Sequence, residues 1–130
     1  MFAEPGLIFV NDYRADPDLR ADVMAELEYA FPQVNIVELP IGAPGSDFDP
    51  RFASACGIYV NATVTENAIY LPVFGTDLDG TVIRIIEQNT RKPVVPIPSA
   101  GVCAMGGSAR CTVWQTAGQM ARRVLAAAED

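Results

Sequence analysis

Hydrophobic and polar positions divide the chain into short apolar runs separated by amphipathic stretches. Leu7-Ile8-Phe9-Val10 is a compact apolar run of the kind a buried strand uses. Asp16-Pro17 then supplies a helix cap followed by proline at the first helical position. Leu19, Val23, Leu27 and Ala30 recur at helical spacing and predict one apolar helix face. Phe31-Pro32 ends that helix, because proline disfavours helical geometry in the residue before it. Val34 to Leu39 reads as the next strand, and the Gly-, Pro- and Asp-rich stretch from Ile41 to Pro50 as loop.

The second half repeats this order. Tyr59–Val64 and Ala68–Val73 predict a hairpin turning at Thr65-Glu66-Asn67. Asp77 or Asp79 is placed to cap a helix carrying Val82, Ile85 and Ile86. Pro93 to Pro98 predicts a strand whose prolines call for an edge position or a bulge. A final helix is expected from Thr116 to Ala128, with Met120, Val124 and Leu125 on one side, and Trp114 is expected in the core. Leu7 and Ala68 open matching strands, as do Val34 and Pro93, so the period is about 60 residues. The expectation is an α/β chain, one domain over residues 1–130, with repeat-like halves at about 6–45 and 57–130.

Composition narrows the function classes. Of the 130 residues, 50% are hydrophobic and 19% charged, which suits an ordered chain rather than a disordered one. A net charge of −7 offers no basic stripe to a phosphate backbone, so no nucleic-acid partner is expected. The apolar runs are too short to span a bilayer, and Met1-Phe2-Ala3-Glu4-Pro5 lacks the basic start of a signal peptide. No membrane association is expected. Cys56, Cys103 and Cys111 are an odd number and widely spaced. They read as free thiols in a reducing cytoplasm, with no role assigned to Cys56 or Cys103. With no histidine and no paired-cysteine spacing, no metal is expected; no phosphate-binding glycine fingerprint points to a cofactor.

Chemistry concentrates in Met105-Gly106-Gly107-Ser108-Ala109-Arg110-Cys111-Thr112-Val113-Trp114-Gln115. Gly106 and Gly107 let backbone approach a ligand, or simply make a tight turn. Arg110 is placed to favour the thiolate of Cys111, or to stand in solvent. Cys111 itself is read as a nucleophile, set against the alternative of a buried small hydrophobe. Asn61 and Asn67 are assigned to the hairpin, and Asp12 and Asp77 to turn and helix-start positions. The usual base for a cysteine nucleophile is histidine, and the sequence contains none.

Three stretches in order resemble the guanidine-modifying pentein superfamily, in its branch of agmatine deiminases and bacterial-type peptidylarginine deiminases. They are Leu7-Ile8-Phe9-Val10-Asn11-Asp12-Tyr13, then Tyr59-Val60-Asn61 through Glu66-Asn67-Ala68-Ile69-Tyr70-Leu71-Pro72-Val73-Phe74-Gly75, then Gly106-Gly107-Ser108-Ala109-Arg110-Cys111-Thr112. The resemblance implies a propeller of ββαβ units, of which this chain would be the C-terminal part, a partial pentein of about two blades. It implies attack by Cys111 on a guanidinium carbon, in a small cationic guanidine such as agmatine or in an arginine side chain. A place in putrescine biosynthesis comes with the agmatine reading. Gly106, Gly107 and Arg110 would border the substrate. Arg110 departs from the histidine common before the cysteine in the agmatine branch. The family's catalytic histidine and substrate-gripping carboxylate come from earlier blades and have no counterpart here. The expectation is therefore a segment inactive alone, completed by a complementing N-terminal chain. The alternative is a non-catalytic truncated pentein that serves as a homo-oligomeric or binding subunit.

Overall fold

Two small sheets carry the structure, a computed structural model that describes residues 1–43 and 51–128. The first holds β1 (Phe2–Glu4), β2 (Leu7–Asn11) and β3 (Asn35–Leu39), with helix α1 (Pro17–Ala30) between the last two strands. The second holds β4 (Thr63–Val64), β5 (Ile69–Val73) and β6 (Val94–Pro98), with α2 (Asp77–Asn89) before its closing strand. In each, the opening pair is antiparallel and the helix crosses over to a parallel third strand. Both sheets are open, so the closed arrangement implied by the resemblance is not seen. A short α3 (Ala100–Cys103), a 3₁₀ turn (Ala109–Thr112) and α4 (Gly118–Ala128) complete the chain. No helix among the described residues is long and apolar enough to cross a membrane.

One core serves both sheets. Leu7, Phe9 and Leu39 from the first pack with Ile69 and Leu71 from the second, over Val82 and Ile86 of α2. The apolar face predicted for α2 is thus the one that does the burying, and Val82 and Ile86 are fully enclosed. The face predicted for α1 behaves differently. Asp16 caps that helix by accepting from the Leu19 N–H at 3.1 Å, as expected, yet no α1 residue is buried and Leu19 stays 44% exposed. The last helix has the same character: Met120, Val124 and Leu125 are all exposed.

Several local expectations need correction. The first strand of the predicted hairpin shrinks to Thr63–Val64, because Tyr59 leaves the sheet to fill the core. Its ring is 1% exposed and meets Phe74 edge-on with centroids 5.2 Å apart. Its hydroxyl donates to Asp79 at 2.7 Å. An apolar residue in a strand-like pattern here answers to packing, not to a ladder. Thr76 is the N-cap of α2, and Asp77 is simply its first residue. Asp79 guards that end from inside the first turn, its carboxylate accepting from the N–H groups of Phe74, Gly75 and Thr76. The predicted loop from Ile41 to Pro50 lies mostly outside the described residues.

The cysteine reading also changes. Cys56 and Cys103 form a disulfide, with their α-carbons 4.7 Å apart. The Ala55 N–H bonds the Cys103 carbonyl at 2.9 Å, and that bond brings the two side chains within bridging range. Only Cys111 remains a free thiol. Cysteine usage therefore no longer points to a reducing compartment.

Two stability measurements follow. Thr63 is 8% exposed and its Oγ1 has no hydrogen-bond partner among the described residues. Thr63→Val removes that unpaired group at nearly constant volume and should raise unfolding free energy by about 0.5–1 kcal/mol in a denaturant titration. For Asp79, burial pushes the carboxyl up, but the Tyr59 hydroxyl and three backbone N–H groups pull it below its ordinary value of 3.8. A depressed carboxyl stabilises the fold above its unfolded pKa, and that stability drains away as pH falls through the folded one. Asp79→Asn should therefore cost about 1–3 kcal/mol near pH 6, and the gap to wild type should narrow as pH falls below the ordinary carboxyl value.

Candidate functional site

The loop after α3 bends back at Gly106, whose φ of 85° lies in the left-handed region that side chains avoid. Gly107 lies against the thiol itself: a β-carbon there would fall 3.3 Å from the Cys111 β-carbon and 3.9 Å from its sulfur. The chain then buries Ser108 completely and Ala109 almost so, before the 3₁₀ turn presents Arg110 and Cys111 outward. Inside the turn, the Cys111 N–H donates to the Ser108 carbonyl at 2.9 Å. Thr112 Oγ1 donates to the Ala109 carbonyl at 3.0 Å.

What anchors this turn is Asn61. Its carbonyl accepts from the Arg110 N–H at 3.1 Å and from Ser108 Oγ at 3.4 Å. Its side chain reaches the sulfur from the same place: Nδ2 lies 3.1 Å from Cys111 Sγ and Oδ1 lies 3.4 Å from it. The amide is therefore matched to both protonation states. Its N–H donates to a thiolate, and its oxygen accepts from a thiol. Further along, Gln115 Nε2 donates to the Val64 carbonyl at 3.0 Å and ties the segment beyond the turn to β4.

The sulfur is exposed, so it is not the buried hydrophobe of the alternative reading. Its pKa lies below the ordinary thiol value of 9.0. Hydrogen bonding from the Ser108 backbone is the main cause and the Asn61 side chain the next; burial works the other way. The Arg110 charge adds the smallest contribution, so the cation suspected from the sequence is secondary to the hydrogen bonds. A thiol polarised in this manner and open to solvent is equipped for nucleophilic attack.

The structure places Arg110 and Cys111 in one turn, with Gly107 against Cys111 and Gly106 as the bend that leads into it. Trp114, expected in the core, is 73% exposed, because Gln115 rather than the indole docks on the sheet. Asp12 lies at the end of β2 and is paired with Arg14, whose hydrogen bond holds its carboxyl below the usual range. Asn61 is the residue that the hairpin reading missed. Its one trace in the sequence is its place in Tyr59-Val60-Asn61, three residues that occupy a turn. No group of three or more histidine, cysteine or acidic side chains among the described residues could hold a metal ion.

Comparison with known proteins bears on this site. The sequence profile of the Porphyromonas-type peptidyl-arginine deiminases matches residues 2–116. The chain belongs to that family. No curated protein sequence matches it. Among solved structures, a Porphyromonas gingivalis protein provisionally classed as an arginine deiminase superposes with a TM-score of 0.65 at 19% identity. The match covers 85% of this chain and 34% of that one. The agmatine deiminase of C. jejuni gives 0.61 at 18% identity, over 85% of this chain and 35% of the other. A cysteine-to-serine variant of the C. jejuni enzyme, solved with substrate bound, gives 0.60 at 18% identity, over 84% and 33%. This member of the family thus spans about a third of the length of the solved structures it matches.

The role of Asn61 is measurable. Asn61→Ala removes the second-ranked cause of the thiol's acidity and leaves the Ser108 contribution in place. The pH at which Cys111 alkylation reaches half its maximal rate should rise toward the ordinary thiol value, and the rate near neutral pH should fall about threefold. Peptide mass spectrometry of iodoacetamide-labelled protein reads both.

Proposed function

We propose that this chain supplies the attacking sulfur of a guanidine C–N hydrolase, in an active site whose general base lies on another polypeptide segment. The observation that carries the reading is the exposed Cys111 with its sulfur hydrogen-bonded by Asn61 on a glycine-bordered turn. Membership of a deiminase family supports it. The two ββαβ sheets are read as two blades of a pentein propeller that the remaining length would complete.

The chemistry suits a thiolate. Cys111 Sγ adds to the electrophilic guanidinium carbon, a C–N bond breaks, and ammonia leaves with a proton it must be given. The amidino-thioether that results has lost one nitrogen. Water then attacks the same carbon, gives up its protons, and the C–S bond breaks to return the thiolate and release a urea. Both proton transfers need an acid–base group near neutral pH. Histidine, the usual choice, is absent from the sequence, and a second copy of the chain could not lend one. The substrate is a cationic guanidine, either a small amine such as agmatine or a peptidyl arginine. Gly106, Gly107 and Arg110 would border it.

A second reading rests on the exposed apolar side chains of α1 and α4. Leu19, Met120, Val124 and Leu125 are uncovered, as a subunit awaiting a partner would leave them. In that case the chain is a non-catalytic oligomeric or binding subunit. Ammonia release from agmatine separates the two. The isolated chain should release none above a Cys111→Ala control. Addition of a histidine-bearing N-terminal segment from a family member should restore turnover in the wild-type chain and not in the variant. Failure of every such segment to restore turnover, with association detected by light scattering, would favour the binding subunit.

A further inference from the structure

We propose that the Cys56–Cys103 disulfide is a positioning element for Cys111: it clamps the backbone from which the nucleophile's turn is built. The inference rests on the reading of Cys111 as the attacking sulfur and adds a control on its geometry. Cys103 closes α3, three residues before the bend at Gly106. Its carbonyl accepts from two directions, from the Ala55 N–H at 2.9 Å and from the Gly106 N–H at 3.1 Å. One atom thus joins the segment around Cys56 to the start of the nucleophile's loop. The contact continues beyond it. A β-carbon on Gly106 would lie 3.1 Å from the Ala53 carbonyl, so residues 53 and 106 are stacked backbone on backbone.

The bond spans 47 residues of sequence and connects the segment around Cys56 to the end of α3. Ala53 to Cys56 belongs to no helix or strand. On the far side, the turn is held by Asn61, five residues after Cys56. The loop from Cys103 to Cys111 is therefore gripped at both ends by one stretch, residues 53–61. The disulfide secures one end, and Asn61 secures the other. With the bridge cut, the Ala55–Cys103 hydrogen bond and the Ala53–Gly106 backbone contact still join the two segments at the first end, but nothing covalent does. Slack there passes through Gly106 and Gly107, the most permissive backbone in the loop, into the turn that aims Cys111 Sγ at Asn61.

Cleavage would be a two-electron step. A dithiol attacks one sulfur, the S–S bond breaks, and a second attack releases the other. The two cysteine sulfurs each take a proton and the dithiol becomes a cyclic disulfide. Cys111 takes no part in this exchange.

The test reads the pH profile of Cys111 alkylation, resolved from the other cysteines by peptide mass, in the full chain and in a Cys56→Ser/Cys103→Ser double variant. Because that variant could fail to fold, the wild-type chain is also reduced with a phosphine, desalted without air and labelled in parallel. Circular dichroism reports the fold of each. The expected result is a retained fold, a lower melting temperature and an alkylation midpoint moved upward, with the rate near neutral pH down about threefold. An unmoved midpoint in a folded, unbridged chain overturns the proposal. So does global unfolding of both unbridged forms, because the bond would then be a staple of the whole fold. Labelling proceeds whether or not a guanidine reacts. A shifted profile without turnover of either agmatine or a peptidyl arginine in a complemented assembly would therefore sink the enzymatic reading and leave the clamp standing.

Discussion

Asn61 joins two parts of the chain that lie 50 residues apart, and it does so with main chain and side chain together. Its carbonyl holds the backbone of the 3₁₀ turn while its amide touches the sulfur on that turn. A contact made by the side chain alone could drift, since a surface asparagine has several rotamers. Fixing the turn and the sulfur from a single residue removes that freedom. The arrangement stays in register only while Asn61 itself is fixed, and that falls to Tyr59 two residues earlier. The buried ring and the bond from its hydroxyl to Asp79 lock the start of the segment into the core.

Asp79 thereby stands behind the site without approaching it. Its carboxylate gathers the Tyr59 hydroxyl and the N–H groups that precede α2. The tyrosine responds in kind: burial, together with the neighbouring carboxylate, pushes its hydroxyl up to about 12, so it remains a donor at any physiological pH. A donor that never ionises opposite an acid that stays charged makes a durable joint. Helix start, core ring and the Cys111 turn are linked through it.

Much of the fold was legible because it is local. The run Leu7 to Val10, the Asp16-Pro17 helix start, the buried stripe of α2 and the proline-bearing strand at β6 are all encoded within a few neighbouring residues. What escaped depends on partners far away in sequence. The Cys56–Cys103 bridge needs two segments brought together by the fold, and no spacing rule announces it. Asn61 reads as hairpin from its neighbours and acquires its role from Cys111. Trp114 and the apolar positions of α1 and α4 failed for the opposite reason. Their periodicity describes a face to be covered, and the described chain covers it only in part: Val23 and Leu27 are half-buried while Leu19, Met120, Val124 and Leu125 stay exposed. The glycines and arginine beside Cys111 drew attention to that turn, but the source of the thiol's acidity lay in hydrogen bonds that no motif displays.

The prolines of β6 carry a further consequence. The Ser99 N–H reaches back to the Val73 carbonyl at 2.8 Å, so by the alternation of a strand the N–H groups of Val95 and Ile97 also point toward β5. Positions 94, 96 and 98 then point to the free side, and two of these are prolines with nothing to donate. That margin of the second sheet has lost two of its three donors and offers an incoming strand the Val94 N–H and carbonyls. The matching margin at β3 has no proline in Asn35–Leu39 and keeps its donors. Strand addition is thus better supplied with donors at β3 than at β6.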